Sequence, residues 1–171
     1  FTQAWRACES AMGSVTGERT EVHRAFAHLA LDCGRADAAT TQAGKVLARR
    51  SDDADAHLVM AVALLALGRS GSALEHARKA AEAPRVLPKH GSRVALGRAL
   101  ADEEKPAEAV EVLRRVLAKA PGSPHASLAL ARALRQLGDE KGAQETLAKV
   151  DSQLGEGKSR LVEFLLDPKG T

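Results

Sequence analysis

Apolar residues recur along the chain with the spacing of amphipathic helices, and the helical segments themselves recur with a period near 34 residues. Glycines follow three of the apolar runs, and an alanine stands five residues after each of these glycines, at Ala39, Ala73 and Ala143. A fourth register keeps the alanine, Ala109, but carries Glu104 where the glycine would stand. Successive alanines are 34, 36 and 34 residues apart. Two apolar helical stripes in each period predict a series of paired helices.

Each predicted helix pair also has a small residue in the middle of its first helix. Three of these residues are predicted to face an alanine of the second helix: Ala61 faces Ala73, Gly97 faces Ala109, and Ala131 faces Ala143. Small contact residues let antiparallel helices approach to the short end of the usual range of about 8–10 Å. One such hairpin cannot bury enough surface to fold alone, so stacked hairpins are expected to share a continuous core.

Composition supports an all-α fold class. The chain is 44% hydrophobic but only 2% aromatic, with no Tyr and no Ile, so the residues that favour strands are scarce. Charged residues make up 27% of the chain with both signs mixed, which argues against wholesale disorder. The net charge of +3 is too small to indicate the concentrated basic face typical of DNA-binding proteins.

The spacing and the residues at each position resemble the tetratricopeptide repeat family. Leu96–Gly97, Ala109 and Pro121 supply the family pattern in one repeat, and Met60–Ala61, Gly68, Ala73 and Pro84 supply it in another. The resemblance implies a right-handed superhelix, an α-solenoid of antiparallel helix hairpins. It places four repeats within residues 20–157, at 20–53, 54–89, 90–123 and 124–157.

Flanking segments are expected at both ends. Residues 1–19 are predicted to hold an N-terminal helix, and the spacing of Ala4 and Cys8 matches the second helix of an earlier, truncated repeat. The chain would then be a fragment of a longer array; a native N-terminal capping helix is the alternative. Residues 158–171 are predicted to form a C-terminal capping helix, with Ser159 as its N-cap, and a tail.

The motifs of catalysis and metal binding are not found in the sequence. The segment 155–159 looks like the end of a phosphate-binding loop, but Ser152 stands where that loop needs a glycine. The six histidines include no HExxH and no i, i+4 pair, and His23 and His57 are interpreted as packing residues. We therefore expect no enzyme activity, no catalytic residue, no cofactor and no metal.

The family resemblance also implies a binding surface. In the family, the first helix of each hairpin lines the concave face, which nominates Arg24, His28, Leu58, Val62, Leu65, Val94, Arg98, Leu128, Arg132 and Arg135. The spacing of Leu58, Val62 and Leu65 independently fits one helix face. This surface is interpreted as an apolar patch followed by arginines, which suits a ligand with apolar anchors and an acidic group. The alternative is that Leu58, Val62 and Leu65 belong to the core and the arginines are ordinary solvated groups.

The predicted function is a protein–protein interaction module, docking a peptide segment or partner domain within a scaffold or regulatory protein. A chaperone-tail clamp is disfavoured because Asp55 and Val59 stand where polar or basic groups are expected. The alternatives are a self-assembling structural array and, less favoured, an RNA-binding helical repeat. We expect neither nucleic-acid binding nor membrane insertion. Oligomeric state is open, and the compartment is unknown, with the cytoplasm slightly favoured.

Overall fold

The computed structural model describes residues 19–83 and 89–154, together with Ser10. Within those two ranges all regular secondary structure is helical, as predicted. The helices are α1 Thr20–Asp32, α2 Ala36–Leu47, α3 Ala54–Ala66, α4 Ser70–Glu82, α5 Lys89–Asp102, α6 Pro106–Lys119, α7 Pro124–Gln136 and α8 Glu140–Leu154. The predicted flanking helices in 1–19 and 158–171 lie outside the described residues.

The chain divides into two compact units, Phe1–Ala95 and Leu96–Thr171, and the division falls within α5. In the first unit α1 packs on α2, α2 on α3 and α3 on α4, and the first helices α1 and α3 also touch. In the second unit α6 packs on α7 and α7 on α8. The pairs α1–α2 and α3–α4 of the first unit and α7–α8 of the second are therefore helix hairpins joined by short turns.

Alanine dominates the contacts between these helices. The four alanines that mark the period, Ala39, Ala73, Ala109 and Ala143, are all fully buried. Around the first of them lies a cluster of buried residues in the first unit: Ala27, Ala30, Ala39, Ala43, Val59 and Ala63. Because an alanine adds only a methyl group to a helix surface, these positions allow close approach of neighbouring helices, as predicted from their spacing.

The side chain that lies closest to Gly97 is that of Leu113. A β-carbon placed on this glycine would lie 2.5 Å from Cγ of Leu113, and its nearest neighbours are all atoms of that side chain. The spacing predicts that Gly97 faces Ala109, and the three atoms nearest to a β-carbon on the glycine belong to Leu113, one turn further along α6. The glycine gives the fully buried Leu113 room against the backbone of α5.

Each hairpin turn contains a residue with left-handed backbone. Three of these residues are glycines: Gly34, Gly68 and Gly138 have φ of 68°, 71° and 79°. The next backbone N–H bonds back to the carbonyl five residues earlier, as in Arg35 to Ala30 at 2.7 Å, which is the Schellman arrangement. The third turn keeps this geometry with Glu104, whose φ is 55°. Lys105 N–H bonds the Leu100 carbonyl there at 2.9 Å.

Replacing Glu104 with glycine is expected to raise the free energy of unfolding by about 1 kcal/mol. In the left-handed region a β-carbon clashes with the backbone, and this raises the free energy of the folded chain. Glycine has no β-carbon and therefore no such clash. Urea denaturation of the two proteins measures the difference. Gly68→Ala is the matched control and should lower stability by a similar amount, because its β-carbon would meet nothing within 4 Å and only the backbone conformation is affected. Equal stability of all three proteins would contradict the prediction.

Candidate functional site

The predicted binding residues of the first unit lie on the first helices of its hairpins, α1 and α3. On α3, Asp55, Leu58 and Val62 follow one another at i, i+3 and i+7 and so share one face. Leu58 and Val62 are half-buried, which leaves apolar surface exposed on that face. On α1, Arg24 and His28 stand one turn apart. These five residues, Arg24, His28, Asp55, Leu58 and Val62, form what we call the first-unit face.

Two of the nominated apolar residues are much less accessible. Leu65 and Val94 are each only 8% exposed, and Val59 beside Leu58 is 1% exposed. The side chains of Leu65 and Val94 are therefore buried by contacts inside the protein. For Leu65 this agrees with the alternative that it belongs to the core. The accessible apolar surface on α3 is centred on Leu58 and Val62.

The basic residues of the first-unit face are already paired with carboxylates. Nη2 of Arg24 forms a short ion pair with Oδ2 of Asp53, and Nε of Arg24 lies 3.7 Å from Oδ2 of Asp55. Nε2 of His28 lies 2.7 Å from the same Asp55 oxygen. An acidic partner binding at Arg24 or His28 would therefore compete with Asp55 for the same donors.

Asp53 connects this charged cluster to the start of α3. Its side chain is buried, and Oδ1 accepts a hydrogen bond from the Ala56 N–H at 3.0 Å, which caps the helix. Burial alone raises the pKa of Asp53, but the Ala56 N–H and the positive charges of Arg24 and Arg50 outweigh burial, so the pKa lies below its usual value of 3.8. Asp53 is thus held ionised by its surroundings.

The second unit carries the remaining nominated residues, Arg98, Leu128, Arg132 and Arg135, which we call the second-unit face. Arg132 Nη2 lies 2.6 Å from Oδ1 of Asp102, and Arg135 Nη2 lies 3.2 Å from Oε1 of Glu140. Leu128 is half-buried, whereas Arg98 is exposed and has no ion pair within residues 19–83 and 89–154. Of the three arginines, Arg98 is therefore the one whose guanidinium group is available.

The structure also brings together two histidines that are 19 positions apart in the sequence. His57 is 4% exposed, and its Nδ1 lies 2.8 Å from Nδ1 of His76 on α4. The Nε2–H of His57 donates to the Ser51 carbonyl at 2.9 Å. Burial lowers the pKa of His76 below 6.5, and the charges of His57 and Lys79 act in the same direction. His57 is thus a buried packing residue, as predicted, with a polar partner as well.

The first hairpin holds an equivalent pair. Nδ1 of His23 lies 2.8 Å from Oε1 of Gln42, and the two residues are 19 apart, as are His57 and His76. Both pairs join the first and second helix of their hairpin. A repeat-by-repeat alignment of histidines with polar residues 19 positions later would have identified both contacts from the sequence.

Metal binding and membrane insertion find no support in the described residues. Groups of three or more His, Cys, Asp or Glu side chains placed to hold a metal ion are absent from them. None of their helices combines the length and the apolar character that crossing a bilayer requires.

Paired antiparallel helices repeated along the chain define a helical-repeat protein. Two family models, both described as tetratricopeptide repeat, match residues 24–86 and 100–160, which together are more than two thirds of the chain. The chain belongs to the tetratricopeptide repeat family. This family is in general a structural and interaction fold rather than an enzymatic one, and the chain is a protein–protein interaction module.

Solved structures show the same fold at low sequence identity. PilW, a widely conserved type IV pilus biogenesis factor, is 20% identical with a TM-score of 0.78, over 98% of this chain and 77% of PilW. TTC0263, a thermophilic TPR protein of Thermus thermophilus, is 20% identical with a TM-score of 0.73, over 88% and 82% of the two chains. YrrB, a TPR protein with an unusual peptide-binding site, is 20% identical with a TM-score of 0.66, over 95% and 82%. No curated protein matches the sequence.

Proposed function

We propose that this module binds a peptide segment or a domain of another protein through the first helices of its hairpins, as part of a scaffold or regulatory protein. The observation that carries the proposal is the half-buried pair Leu58 and Val62, two apolar side chains that share a helix face. Exposed apolar surface of this kind is favourable to bury against a partner. The description of YrrB as a protein with a peptide-binding site supports a peptide as the ligand.

The charges of the two faces refine the chemistry of the partner. Arg24, His28, Arg132 and Arg135 already have carboxylate partners, so an acidic group of a partner would share or displace an existing ion pair at each of them. Arg98 has no such ion pair among the described residues. We therefore propose apolar anchors at Leu58 and Val62 on the first-unit face. Independently of these anchors, we propose Arg98 as a carboxylate contact of the second-unit face, where bidentate hydrogen bonding is open to the guanidinium group.

The repeat boundaries belong to the same proposal. We propose that 20–53, 54–89, 90–123 and 124–157 are the four repeats, because they correspond to the described hairpins α1–α2, α3–α4, α5–α6 and α7–α8, although α5 begins one residue before the third interval. Residues 1–19 and 158–171 are proposed as flanking helices that extend or cap the array.

Affinity capture with the whole chain as bait tests the assignment of the face. Leu58→Asp should abolish capture of a specific partner, because a charge replaces the apolar anchor. Arg98→Ala should weaken capture several-fold, and more at low salt, where screening is least. Both variants must first show the helical circular dichroism of the native chain.

Two control variants make the same chemical changes elsewhere. Leu137→Asp places the charge at an apolar residue that is 49% exposed in the turn after α7, and Arg115→Ala removes a cation from the second helix α6. Partners retained by the controls and lost with Leu58→Asp support the proposal. If the Leu58 and Arg98 variants capture the same proteins as the native chain while the controls lose them, the binding face is assigned wrongly.

A further inference from the structure

We propose that His57 and His76 form an acid-sensitive contact, which holds α3 against α4 at neutral pH and breaks when both rings become protonated. The two rings meet head-on: their Nδ1 atoms are 2.8 Å apart and their centroids 5.0 Å apart. A hydrogen bond between two Nδ1 atoms requires one ring to donate and the other to accept. This pair, which we call the histidine contact, is therefore compatible with one added proton but not with two.

The surroundings of His57 decide which ring accepts. Nε2 of His57 lies 2.9 Å from the Ser51 carbonyl, which can only accept, so this nitrogen carries the ring hydrogen. Nδ1 of the neutral ring then has a free lone pair and accepts from Nδ1–H of His76. Because His57 is only 4% exposed, loss of either partner would leave a buried polar atom unsatisfied.

Protons added in acid meet two different nitrogens. The first can bind Nε2 of His76, a half-buried ring, while Nδ1–H of this ring continues to donate to His57. The second proton can bind only Nδ1 of His57, the atom that accepts the hydrogen bond. Its binding would bring two N–H groups and two positive charges face to face, so the contact must break first.

The charges on α4 favour the neutral form of His76. Burial lowers the pKa of His76 below 6.5, the charges of His57 and Lys79 act in the same direction, and Glu75 opposes them. The neutral ring therefore stabilises the hairpin above pH 6.5. This stabilisation is lost as the pH falls from 6.5 toward the lower folded-state value.

The other elements that pack on α3 do not compensate a second positive charge. These elements are α1 and α2, whose buried side chains are all uncharged. The carboxylates at the start of α3 are already paired, since Asp53 faces Arg24 and Arg50, and Asp55 faces His28. A doubly protonated histidine contact would therefore keep its full repulsion.

The first hairpin contains an equivalent contact that tolerates acid. His23 and Gln42 occupy the corresponding positions, with 2.8 Å between Nδ1 and Oε1. An amide has both a donor and an acceptor, so it can pair with a histidine in either protonation state. His76→Gln should therefore make the second hairpin tolerant of acid, and Gln42→His should make the first hairpin sensitive to it.

Breaking of the histidine contact affects a helix of the proposed binding surface. Because α3 also carries Leu58 and Val62, acid would loosen the hairpin that presents these side chains. The loosening itself requires no partner on the first-unit face, so it can be measured in the free chain.

Hydrogen exchange of the whole chain at pH 7.5 and pH 5.5, analysed by mass spectrometry, measures each hairpin separately. Protection of α3 and α4, corrected for intrinsic exchange rates, should fall at least about tenfold more in the native chain than in His76→Gln. The reason is that the closed native hairpin binds one proton fewer than the open one. His125→Gln, which changes an exposed histidine of α7, should follow the native chain.

Nuclear magnetic resonance of the ring nitrogens tests the direction of the hydrogen bond. At pH 7.5, Nδ1 of His57 should carry no proton and Nδ1 of His76 should carry one. A proton on Nδ1 of His57 at this pH overturns the proposal, and so does an equal acid loss of protection in the native chain and His76→Gln.

The variant Gln42→His decides the question if His76→Gln fails to fold. Protection of α1 and α2 should then fall at least about tenfold more in acid than it does in the native chain. An unchanged acid response of α1 and α2 in this variant counts against the proposal.

Discussion

Replacing Leu113 with alanine is expected to lower the free energy of unfolding by about 2–5 kcal/mol, the usual cost of removing a buried leucine. Leu113 lies in α6 and is fully buried. It is the largest fully buried side chain among the described residues. Its branched end fills the space above Gly97 in α5, where no other side chain comes as close. Truncation would leave a cavity that the rigid helix backbones fill only in part. Chemical denaturation of the native and variant chains measures the loss.

The partner glycine makes the prediction specific. Gly97→Ala is expected to cost about 1–3 kcal/mol, because the new β-carbon would lie within 3 Å of three Leu113 atoms. Gly44→Ala, in α2, is the control: its β-carbon would meet Met60 at an ordinary 3.9 Å, so the helix preference for alanine should make it neutral or stabilising.

When Gly97→Ala and Leu113→Ala are combined, the methyl group added on α5 occupies part of the space that the leucine leaves. The loss in the double variant should therefore be smaller than the sum of the single losses by more than about 0.5 kcal/mol, and strict additivity would show that the two residues are not in contact.

The periodicity of the alanines is enough to predict the helix hairpins. Ala39, Ala73, Ala109 and Ala143 mark buried contacts because a repeat that stacks on itself must present a small surface at the same place each time. The replacement of a glycine by Glu104 does not hide the register, since the turn keeps its left-handed backbone and its hydrogen bond from Lys105.

The identity of facing side chains is harder to predict. The spacing places Gly97 opposite Ala109, but it does not indicate that the atoms nearest to this glycine belong to Leu113. Periodicity gives the stripe of a helix that is buried, whereas a rotation of part of a turn about the helix axis decides which residue of the stripe lies over a given glycine. A sequence pattern contains no direct measure of that rotation.

The candidate site, too, is only partly predictable from the sequence. The sequence identifies the first helices and the basic residues on them, yet it marks Asp55 only as a departure from a family motif. In the structure Asp55 pairs with His28, 27 positions away, and Asp102 pairs with Arg132, 30 positions away. Such pairs depend on side-chain conformations across neighbouring hairpins, which local spacing does not determine. Burial of Leu65 and Val94 likewise arises from packing that the i, i+4 spacing alone does not describe.

The charged cluster at the start of α3 leads to the second large expected effect. Asp53→Ala should lower the free energy of unfolding by about 2–4 kcal/mol, because it removes the helix cap and the ion pair with Arg24 together. Asp53→Asn should cost less, since the amide oxygen still accepts from the Ala56 N–H. The difference between the two variants, measured by urea denaturation at pH 7, separates the cap from the charge.

Acid titration of stability then tests the charge itself. Because the pKa of Asp53 is lower in the folded chain than its usual value of 3.8, the ionised group stabilises the fold above that pH. This stabilisation is lost as the pH falls below 3.8 toward the folded-state value. The native chain should therefore lose its advantage over Asp53→Asn across this interval, whereas Asp52→Asn, at the exposed neighbour, should follow the native acid profile. A constant difference between the native chain and Asp53→Asn from about pH 5 down to the acid transition would mean that the ion pair with Arg24 contributes nothing and that Asp53 acts as a cap alone.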